Sequence, residues 1–401
     1  MNDKVPGLLD GVRVVEMSHI MAAPTAGMML ADMGADVIKV ERLPQGDDIR
    51  RSAPMVDGES APFAMMTRNK RGVALDLRQA GGRDALRRLA LGADVFIENY
   101  RKGAMEHYGV GWEALRAANP KLVYCSVSGF GQTGPYAERG GFDLITQGMS
   151  GLMSITGEGE GRPPVKVGAP VTDITAGILA ALGICGALVR RGVTGKGQYV
   201  DTSLLEAGIT HTYWQTAIYR ASGEITRALG SAHPLMAPYQ AFATQDGWIN
   251  LGAANQSTWE KFVVALGAPE LGADPRFNAN AGRMASRTAL TEELTRRFAT
   301  ASTAEWLDRL EAAGVPAGPV YDVAQMAADP QVQARGMIAE VVTAKGTPVS
   351  VIGHAVKYSD NPATIRRGAP RLGEHTREVL AEYGLAAAEI DALIASGAAA
   401  G

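Results

Sequence analysis

Asp173 is the most informative carboxylate in the chain. It stands in Gly168-Ala169-Pro170-Val171-Thr172-Asp173-Ile174-Thr175-Ala176-Gly177, directly before the most apolar helix the sequence predicts. Read as an N-cap, it would accept hydrogen bonds from the first free amides of that helix, a task for which Asp is among the best residues. The residues alone favour this use. Read as a nucleophile, it would be kept ionised by the same helix end, worth about 0.3–2 kcal/mol, while apolar surroundings strip away the water that blunts its reactivity. Desolvation by itself would raise its pKa, so the two effects oppose each other. Cations and polar groups follow the predicted strands: Arg42 after the second, Arg78 after the third, and Asn99-Tyr100-Arg101-Lys102 after the fourth. Each alone reads as solvated surface. Together they could clamp one polyphosphate, because guanidinium forks fit phosphate oxygens and a Tyr ring offers a face to a purine.

Other motifs are excluded by their context. Gly129-Phe130-Gly131-Gln132-Thr133-Gly134 matches the GxGxxG dinucleotide pattern, but Pro135, Gly140 and Gly141 follow it. They break the helix whose N-terminus would have to meet the pyrophosphate. The segment therefore reads as a flexible, ligand-facing loop and not as a nicotinamide site. The six histidines, His19, His107, His211, His233, His354 and His375, never occur at i, i+4 spacing and have no HExxH or Cys company, so no metal is expected. GxSxG and GxxxxGK[ST] are absent. Cys125 and Cys185 are the only cysteines, sixty positions apart, and read as small buried apolar residues.

The elements that must carry these residues alternate. Strands are predicted at 12–17, 35–40, 72–77, 94–98 and 121–127, with helices at 25–33, 81–91 and 112–118 between them. Repeated βα units imply a parallel, doubly wound sheet covered by helices, with ligands beyond the carboxyl ends of its strands. The apolar run 174–189 is sixteen residues long, interrupted by Thr175, Gly177, Gly183 and Gly186. It is short for a bilayer and reads as a buried helix. A strand at 198–200 and a long helix at 204–222 come next. After the Gly- and Pro-rich segment 223–238, a hairpin is expected from strands 239–244 and 248–251 around Asp246-Gly247. Helices follow at 259–266, 286–298 and 304–313, the last opened by a Ser302/Glu305 capping box and stopped by Gly314. Strand character returns at 338–343 and 349–358, so the last segment is expected to rejoin the first sheet, and 397–401 to fray.

The resulting organisation is a large α/β domain over 1–222, a small domain over 223–330, and a return segment with a C-terminal helix over 331–401. The chain has 401 residues, 46% hydrophobic and 20% charged, the composition of a folded globule. Its 39 Lys plus Arg against 42 Asp plus Glu leave a net charge of −3, with no general pull towards nucleic acid or an anionic membrane. The first residues, Met1-Asn2-Asp3-Lys4-Val5-Pro6-Gly7, lack the apolar core of a secretory signal, and the cytoplasm is the expected compartment.

A larger set of ordered motifs runs from Leu8 to about Leu385. It comprises Leu9-Asp10-Gly11-Val12-Arg13-Val14-Val15-Glu16, Ala23-Pro24, Gly34-Ala35-Asp36-Val37-Ile38-Lys39-Val40-Glu41-Arg42, Asn69-Lys70-Arg71, and Asp94-Val95-Phe96-Ile97-Glu98-Asn99-Tyr100. Gly134-Pro135-Tyr136, Thr194-Gly195-Lys196-Gly197-Gln198 and Leu372-Gly373-Glu374-His375-Thr376 complete it. In these the chain resembles the class III CoA-transferase family, which includes formyl-CoA transferase and carnitine CoA-transferase and is related to α-methylacyl-CoA racemase. The resemblance implies an open doubly wound (Rossmann-like) large domain plus a smaller α+β domain, in an interlocked homodimer. It implies that Asp173 is the nucleophile, which reverses the preference for a cap. It implies coenzyme A contacts at Met21, Ala22, Arg42, Leu75, Asp76, Leu77, Arg78, Asn99, Tyr100, Arg101, His107, Arg139, Gly140, Gly141 and Phe142. The family's substrate loop has its nearest counterpart in Gly230-Ser231-Ala232-His233-Pro234, where Gly230 and His233 would face the acceptor acid.

Two departures narrow the substrate. Met21 stands where formyl-CoA transferase has Gln, and His107 where it has Arg, which speaks against formyl or oxalyl groups. The racemase branch carries Gly-His-Asp in place of Gly141-Phe142-Asp143, and Phe142 can neither give nor take a proton. The leading reading is transfer of CoA from an acyl-CoA donor, succinyl-CoA foremost, to a small carboxylic acid, through aspartyl anhydride and aspartyl-CoA thioester intermediates. A racemase or epimerase and a catalytically silent CoA-binding protein are the alternatives.

Overall fold

Val- and Ile-rich strands alternating with amphipathic helices build one seven-stranded sheet in the computed structural model, which describes residues 6–159 and 161–401. Its strands are β1 (Arg13–Met17), β2 (Asp36–Arg42), β3 (Lys70–Leu75), β4 (Val95–Glu98), β5 (Val123–Ser128), β6 (Tyr199–Ser203) and β7 (Ala399–Ala400), in the spatial order β7-β3-β2-β1-β4-β5-β6. The first six are parallel, with Val14 level with both Val37 and Val95. Because strand side chains alternate between faces, Val15, Val40 and Phe96 pack under the helix Ala80–Leu91 on one side. Val14, Val37 and Ile97 pack on the other, under α1 (Ala22–Asp32) and α3 (Val171–Thr194), with the short α2 (Asp143–Met149) between them in the chain. Strand order runs outward in opposite senses from β1 and β4. In such a sheet the ligand crevice lies beyond the carboxyl ends of that pair.

Several expectations are corrected. The tail is not frayed: Ala399 is buried and pairs antiparallel with Leu75, and the Ala398 carbonyl accepts the Asp76 N–H at 2.8 Å. Gly373, at φ +72°, makes room for it, since a Cβ there would lie 2.4 Å from the Ala400 oxygen. Thus β7 rejoins the sheet, whereas among the described residues Ile338–Val342 and Pro348–Ile352 pair only with each other. The second of these strands stops at Ile352 because its partner begins at Ile338. The long helix over 204–222 is two, Leu204–Thr210 and Tyr213–Ser222. The Thr212 hydroxyl and amide both take the Ile209 carbonyl, which an unbroken helix would offer to residue 213.

The buried helix is buried on one face only. Ala176, Gly177, Ala180, Ala181, Ile184 and Ala187 of α3 meet α1, β5 and β6, while Leu182, Val189 and Val193 on the opposite face are exposed, because no element among the described residues covers them. At 24 residues and mean hydropathy 1.8 over its most apolar stretch, α3 is long and apolar enough, by length and composition, to cross a membrane. Cys125 is buried and Cys185 half-buried.

The chain divides into two units. The first takes the residues up to Leu152, Val167–Tyr213 and Pro330–Gly401. The second takes Met153–Lys166 and Trp214–Asp329, so it begins nine residues ahead of 223 and adds a segment the sequence reading left in the large domain. It holds the expected hairpin, Tyr239–Ala243 with Trp248–Gly252, extended by Ala317–Pro319, over a core of Trp259, Phe262, Phe298 and Trp306. The Ser302/Glu305 capping box is present.

Candidate active site

The crevice is built on charges buried beneath it. Glu16, Lys39, Asp47 and Lys70 are all buried. Lys39 Nζ reaches Asp47 at 2.9 Å, Glu16 at 3.3 Å and the Ser18 carbonyl at 3.0 Å. Lys70 Nζ reaches Glu16 at 2.6 Å and the Pro24 carbonyl of α1 at 2.9 Å. Burial works against the Lys39 ammonium, but Glu16, Asp47 and Glu41 outweigh it and hold its pKa above the ordinary value. Burial pulls Lys70 down to about 8 against the opposing charge of Glu16. These pairs tie the middle of β2 and the start of β3 to Glu16 of β1 and to the first turn of α1.

Above them the chain leaves β1 through His19 and Ile20. Ile20 is a β-branched residue at φ +63°, a conformation that needs outside support. Asp47 supplies it by accepting the Ile20 N–H at 3.0 Å, and the Asn99 amide grips both the N–H and the carbonyl of His19 at 3.0 and 2.9 Å. The His19 ring stands edge-on to Tyr100 at 5.1 Å, and burial lowers its pKa. A small pocket opens here, lined by His19, Glu41, Arg42, Asp47, Asp48 and Tyr100 among others, with Arg42 Nη2 on both oxygens of Asp48 at 2.8 and 3.0 Å. The structure thus gathers Arg42, Asn99 and Tyr100, with Met21 and Ala22 next along the chain. Leu43 donates to the Leu75 carbonyl at 3.0 Å, which brings the end of β3 alongside. The side chains of Leu75, Asp76 and Leu77 are buried, and exposed Arg78 is already forked onto Asp76 at 2.8 and 3.0 Å.

The loops after β4 and β5 meet as well. Gly129 and Gly141 are in backbone contact, since a Cβ on Gly129 would lie 2.6 Å from the Gly141 Cα. A Cβ on Gly140 would sit 3.6 Å from the Arg101 guanidinium. Arg139 lies over Tyr136 at 4.5 Å and Phe130 at 5.4 Å, and Phe142 is 78% exposed. His107 ends the short helix Ala104–His107, and its ring contact is with Tyr108 at 5.4 Å. Gly230 and His233 belong to the second unit. There the His233 ring stands edge-on to Trp214 and Tyr239 at 5.9 and 5.4 Å, its Nδ1 accepts the Leu235 N–H at 3.1 Å, and burial lowers its pKa.

Asp173 does not cap α3. The helix starts at Val171, Pro170 occupies the cap position without a side-chain bond, and Asp173 is the third helical residue. The cap comes from α2 instead. Asp143 Oδ1 accepts the Thr172 N–H at 3.0 Å and the Thr172 hydroxyl at 2.8 Å, while Oδ2 accepts Gln147 Nε2 at 2.8 Å. Gln147 Oε1 in turn accepts the Val167 N–H at 2.9 Å. With that work done by Asp143, the Asp173 carboxylate has no hydrogen bond to any described residue. Burial, reinforced by the negative charge of Asp143, pushes its pKa up to about 6. In the sequence Asp143 stands out only as the last residue of Gly141-Phe142-Asp143. The signal available was the Asp143/Gln147 pair, one helical turn apart at the start of a short helix.

Gly177 decides where this carboxylate stands. A Cβ on it would lie 2.4 Å from the Ala22 carbonyl oxygen and 2.5 Å from Thr25 Cβ, so α3 rests directly on the first turn of α1. Asp173 lies one turn earlier on that same face. The amides of Ala22 and Ala23 are at the helix start, where no intrahelical acceptor reaches them, and Met21 provides no side-chain cap.

A model of CoA-transferase family III matches residues 9–376. The chain belongs to this family. It is 40% identical over 388 residues to the succinate–glutarate CoA-transferase of Agrobacterium fabrum, covering 95% of this chain and 96% of that one. It is 38% identical to the succinyl-CoA:glutarate CoA-transferase of Mus musculus, covering 93% and 86%. A solved CAIB/BAIF family protein from Brucella suis shares its fold with a TM-score of 0.84 at 41% identity, over 94% of this chain and 100% of that one. This family III CoA-transferase therefore takes CoA thioesters as substrates. Its doubly wound sheet presents at the switch point a pocket in which His19, Arg42 and Tyr100 stand beside Glu41, Asp47 and Asp48, and the first turn of α3 carries a carboxylate with no hydrogen bond among the described residues.

Proposed function

We propose that the protein moves CoA from succinyl-CoA, or a similar small acyl-CoA, to a carboxylic acid acceptor, with Asp173 as the covalent nucleophile. The carrying observation is that Asp173 has no hydrogen bond to a described residue while Asp143 clamps the turn beneath it. With a pKa of about 6 the carboxylate is mostly ionised at neutral pH, yet poorly solvated. Its oxygen attacks the thioester carbonyl, the C–S bond breaks, and CoA thiolate leaves an aspartyl mixed anhydride. The thiolate then attacks the aspartyl carbonyl, releasing the donor acid and forming an aspartyl-CoA thioester. The acceptor carboxylate attacks that thioester, and the expelled thiolate takes the acceptor's acyl group, regenerating Asp173. Each tetrahedral oxyanion needs preorganised donors, and the Ala22 and Ala23 amides are suited to that.

Arg42, Asn99, Tyr100, Arg101 and the loop from Arg139 to Phe142 would hold the CoA moiety. Succinyl-CoA as donor draws on the names of the relatives, among them a succinyl-CoA:mesaconate CoA-transferase of Haloarcula hispanica. A second copy of the chain would cover the exposed stripe Ile178, Leu182, Val189 and Val193 on α3, in the interlocked homodimer the family resemblance implies. Racemisation is disfavoured, because Phe142 offers no group to carry a proton. The test is to quench the protein during turnover of succinyl-CoA and map it by mass spectrometry. A hydroxylamine-sensitive adduct on Asp173 is expected, and Asp173→Ala should bind CoA without transferring it. Turnover with no adduct, or an active Asp173→Ala, would overturn the mechanism.

A further inference from the structure

The carboxyl end of β4 holds an acid that the mechanism leaves unused. Glu98 is 4% exposed. One of its oxygens accepts the Tyr100 N–H at 2.8 Å. The other is bonded to the Ser126 hydroxyl of β5, which also accepts Gln132 Nε2 at 2.7 Å. Gln132 belongs to the loop after β5, whose path is fixed further by Gly131 N–H on Ser128 Oγ at 2.9 Å and Gln132 N–H on Asp201 Oδ2 at 3.0 Å. That loop carries Gly129, which abuts Gly141. The Tyr100 side of the bridge carries Arg101, which lies against Gly140. One buried carboxyl therefore connects both loops that bring groups to the CoA cleft.

We infer that Glu98 is a positioning residue for the CoA thioester: through the Tyr100 amide on one side and the Ser126–Gln132 pair on the other, it locks the two cleft loops in one relative register. The inference rests on the CoA-binding reading given above. It assigns Glu98 no contact with substrate. A carboxyl suits the position because it can accept from an amide and bond a hydroxyl at the same time. Burial pushes its pKa up to about 7, the Ser126 hydroxyl and Tyr100 amide oppose this, and Glu106 and Asp201 add to it with their own negative charges. A solvated surface acid would have neither this burial nor these partners. Fixing two loops before the ligand arrives lowers the ordering cost of binding, and that gain appears in donor affinity, not in the chemical step.

The test uses Gln132→Leu, which keeps the side-chain bulk in a half-exposed loop, together with Glu98→Leu and Glu98→Gln. Loss of one net hydrogen bond should raise the acyl-CoA KM of Gln132→Leu about 3- to 10-fold, and loss of two should raise that of Glu98→Leu further. The acceptor KM and kcat should stay within about twofold. Glu98→Gln should recover most of the affinity, because its carbonyl still accepts from Tyr100 and its amide can donate to Ser126, whose own proton can turn to Tyr199. CoA binding by calorimetry separates the two levels of the argument. A wild-type protein that binds no CoA would refute the cleft reading. A wild type that binds CoA, with both Leu variants binding it equally well, would refute the role of Glu98. A fall in kcat and melting temperature matching the rise in KM, without rescue by Gln, would reduce Glu98 to a general structural residue and overturn the inference.

Discussion

Replacing Gly177 with Ala tests whether helix packing positions the nucleophile. The added methyl would lie 2.4 Å from the Ala22 oxygen and 2.5 Å from Thr25 Cβ, where ordinary contact begins at 3.4 Å. The nearer atom is backbone and cannot rotate aside, so α3 must lift from the first turn of α1 by about 1 Å. Overpacking costs about 1–3 kcal/mol, offset by about 1 kcal/mol because Ala is the better helix former, which leaves a net loss of about 0–2 kcal/mol. Asp173 is one turn away on the same face, and a misplacement of about 1 Å from near-attack geometry costs roughly 100-fold in rate. Gly177→Ala should therefore fold, bind CoA close to normally and form the aspartyl adduct roughly 100-fold more slowly in a single-turnover quench. Gly192→Ala, in the same helix with nothing within 4 Å of the added carbon, is the control and should react at the normal rate. A Gly177→Ala protein with near-normal adduct formation would refute the claim that this contact places the carboxylate.

Two further outcomes follow from the same geometry. The pH profile of kcat/KM for the donor should fall below about pH 6, because the proposed nucleophile is the ionised form of Asp173, whose pKa burial and the Asp143 charge push up to about 6. Asp143→Asn keeps an oxygen for the Thr172 amide but removes the charge, so the inflection should move to lower pH; an unchanged profile would remove Asp143 from the electrostatics of the site. Gly129→Ala would bring its new carbon within 2.6 Å of the Gly141 Cα, displace the loop from Arg139 to Phe142, and raise the acyl-CoA KM several-fold with the acceptor KM unchanged. Steady-state kinetics with each substrate varied in turn decides it.

Much of the large sheet was legible because its cause is local. The short apolar-rich strands around Val14, Val37, Phe96 and Tyr124, separated by helices, already called for parallel pairing, and the six parallel strands lie at or within a few residues of their predicted positions. The capping box at Ser302 was equally readable, since both partners lie within four residues. β7 was not: two alanines carry no strand signal, and only the unpaired edge of β3 and the space left by Gly373 make them one. The one-sided burial of α3 was hidden for a related reason, because hydropathy reports that a residue is apolar and not whether another element reaches it.

By itself the sequence determined the βα alternation, the loops in which cations follow strands, and, through its ordered motifs, the family, whose resemblance singles out Asp173 as the proposed nucleophile. Tertiary structure alone decided what that carboxylate is free to do. Chain proximity made Asp173 the obvious cap, but Asp143, thirty residues earlier, folds onto the Thr172 amide and hydroxyl first. Lys39 and Lys70 meet Glu16 only because parallel pairing sets β2 beside β1 and β3 beside β2. A hydrogen bond goes to whichever partner is near in space with the right geometry, and for residues far apart in the chain that distance is set by packing.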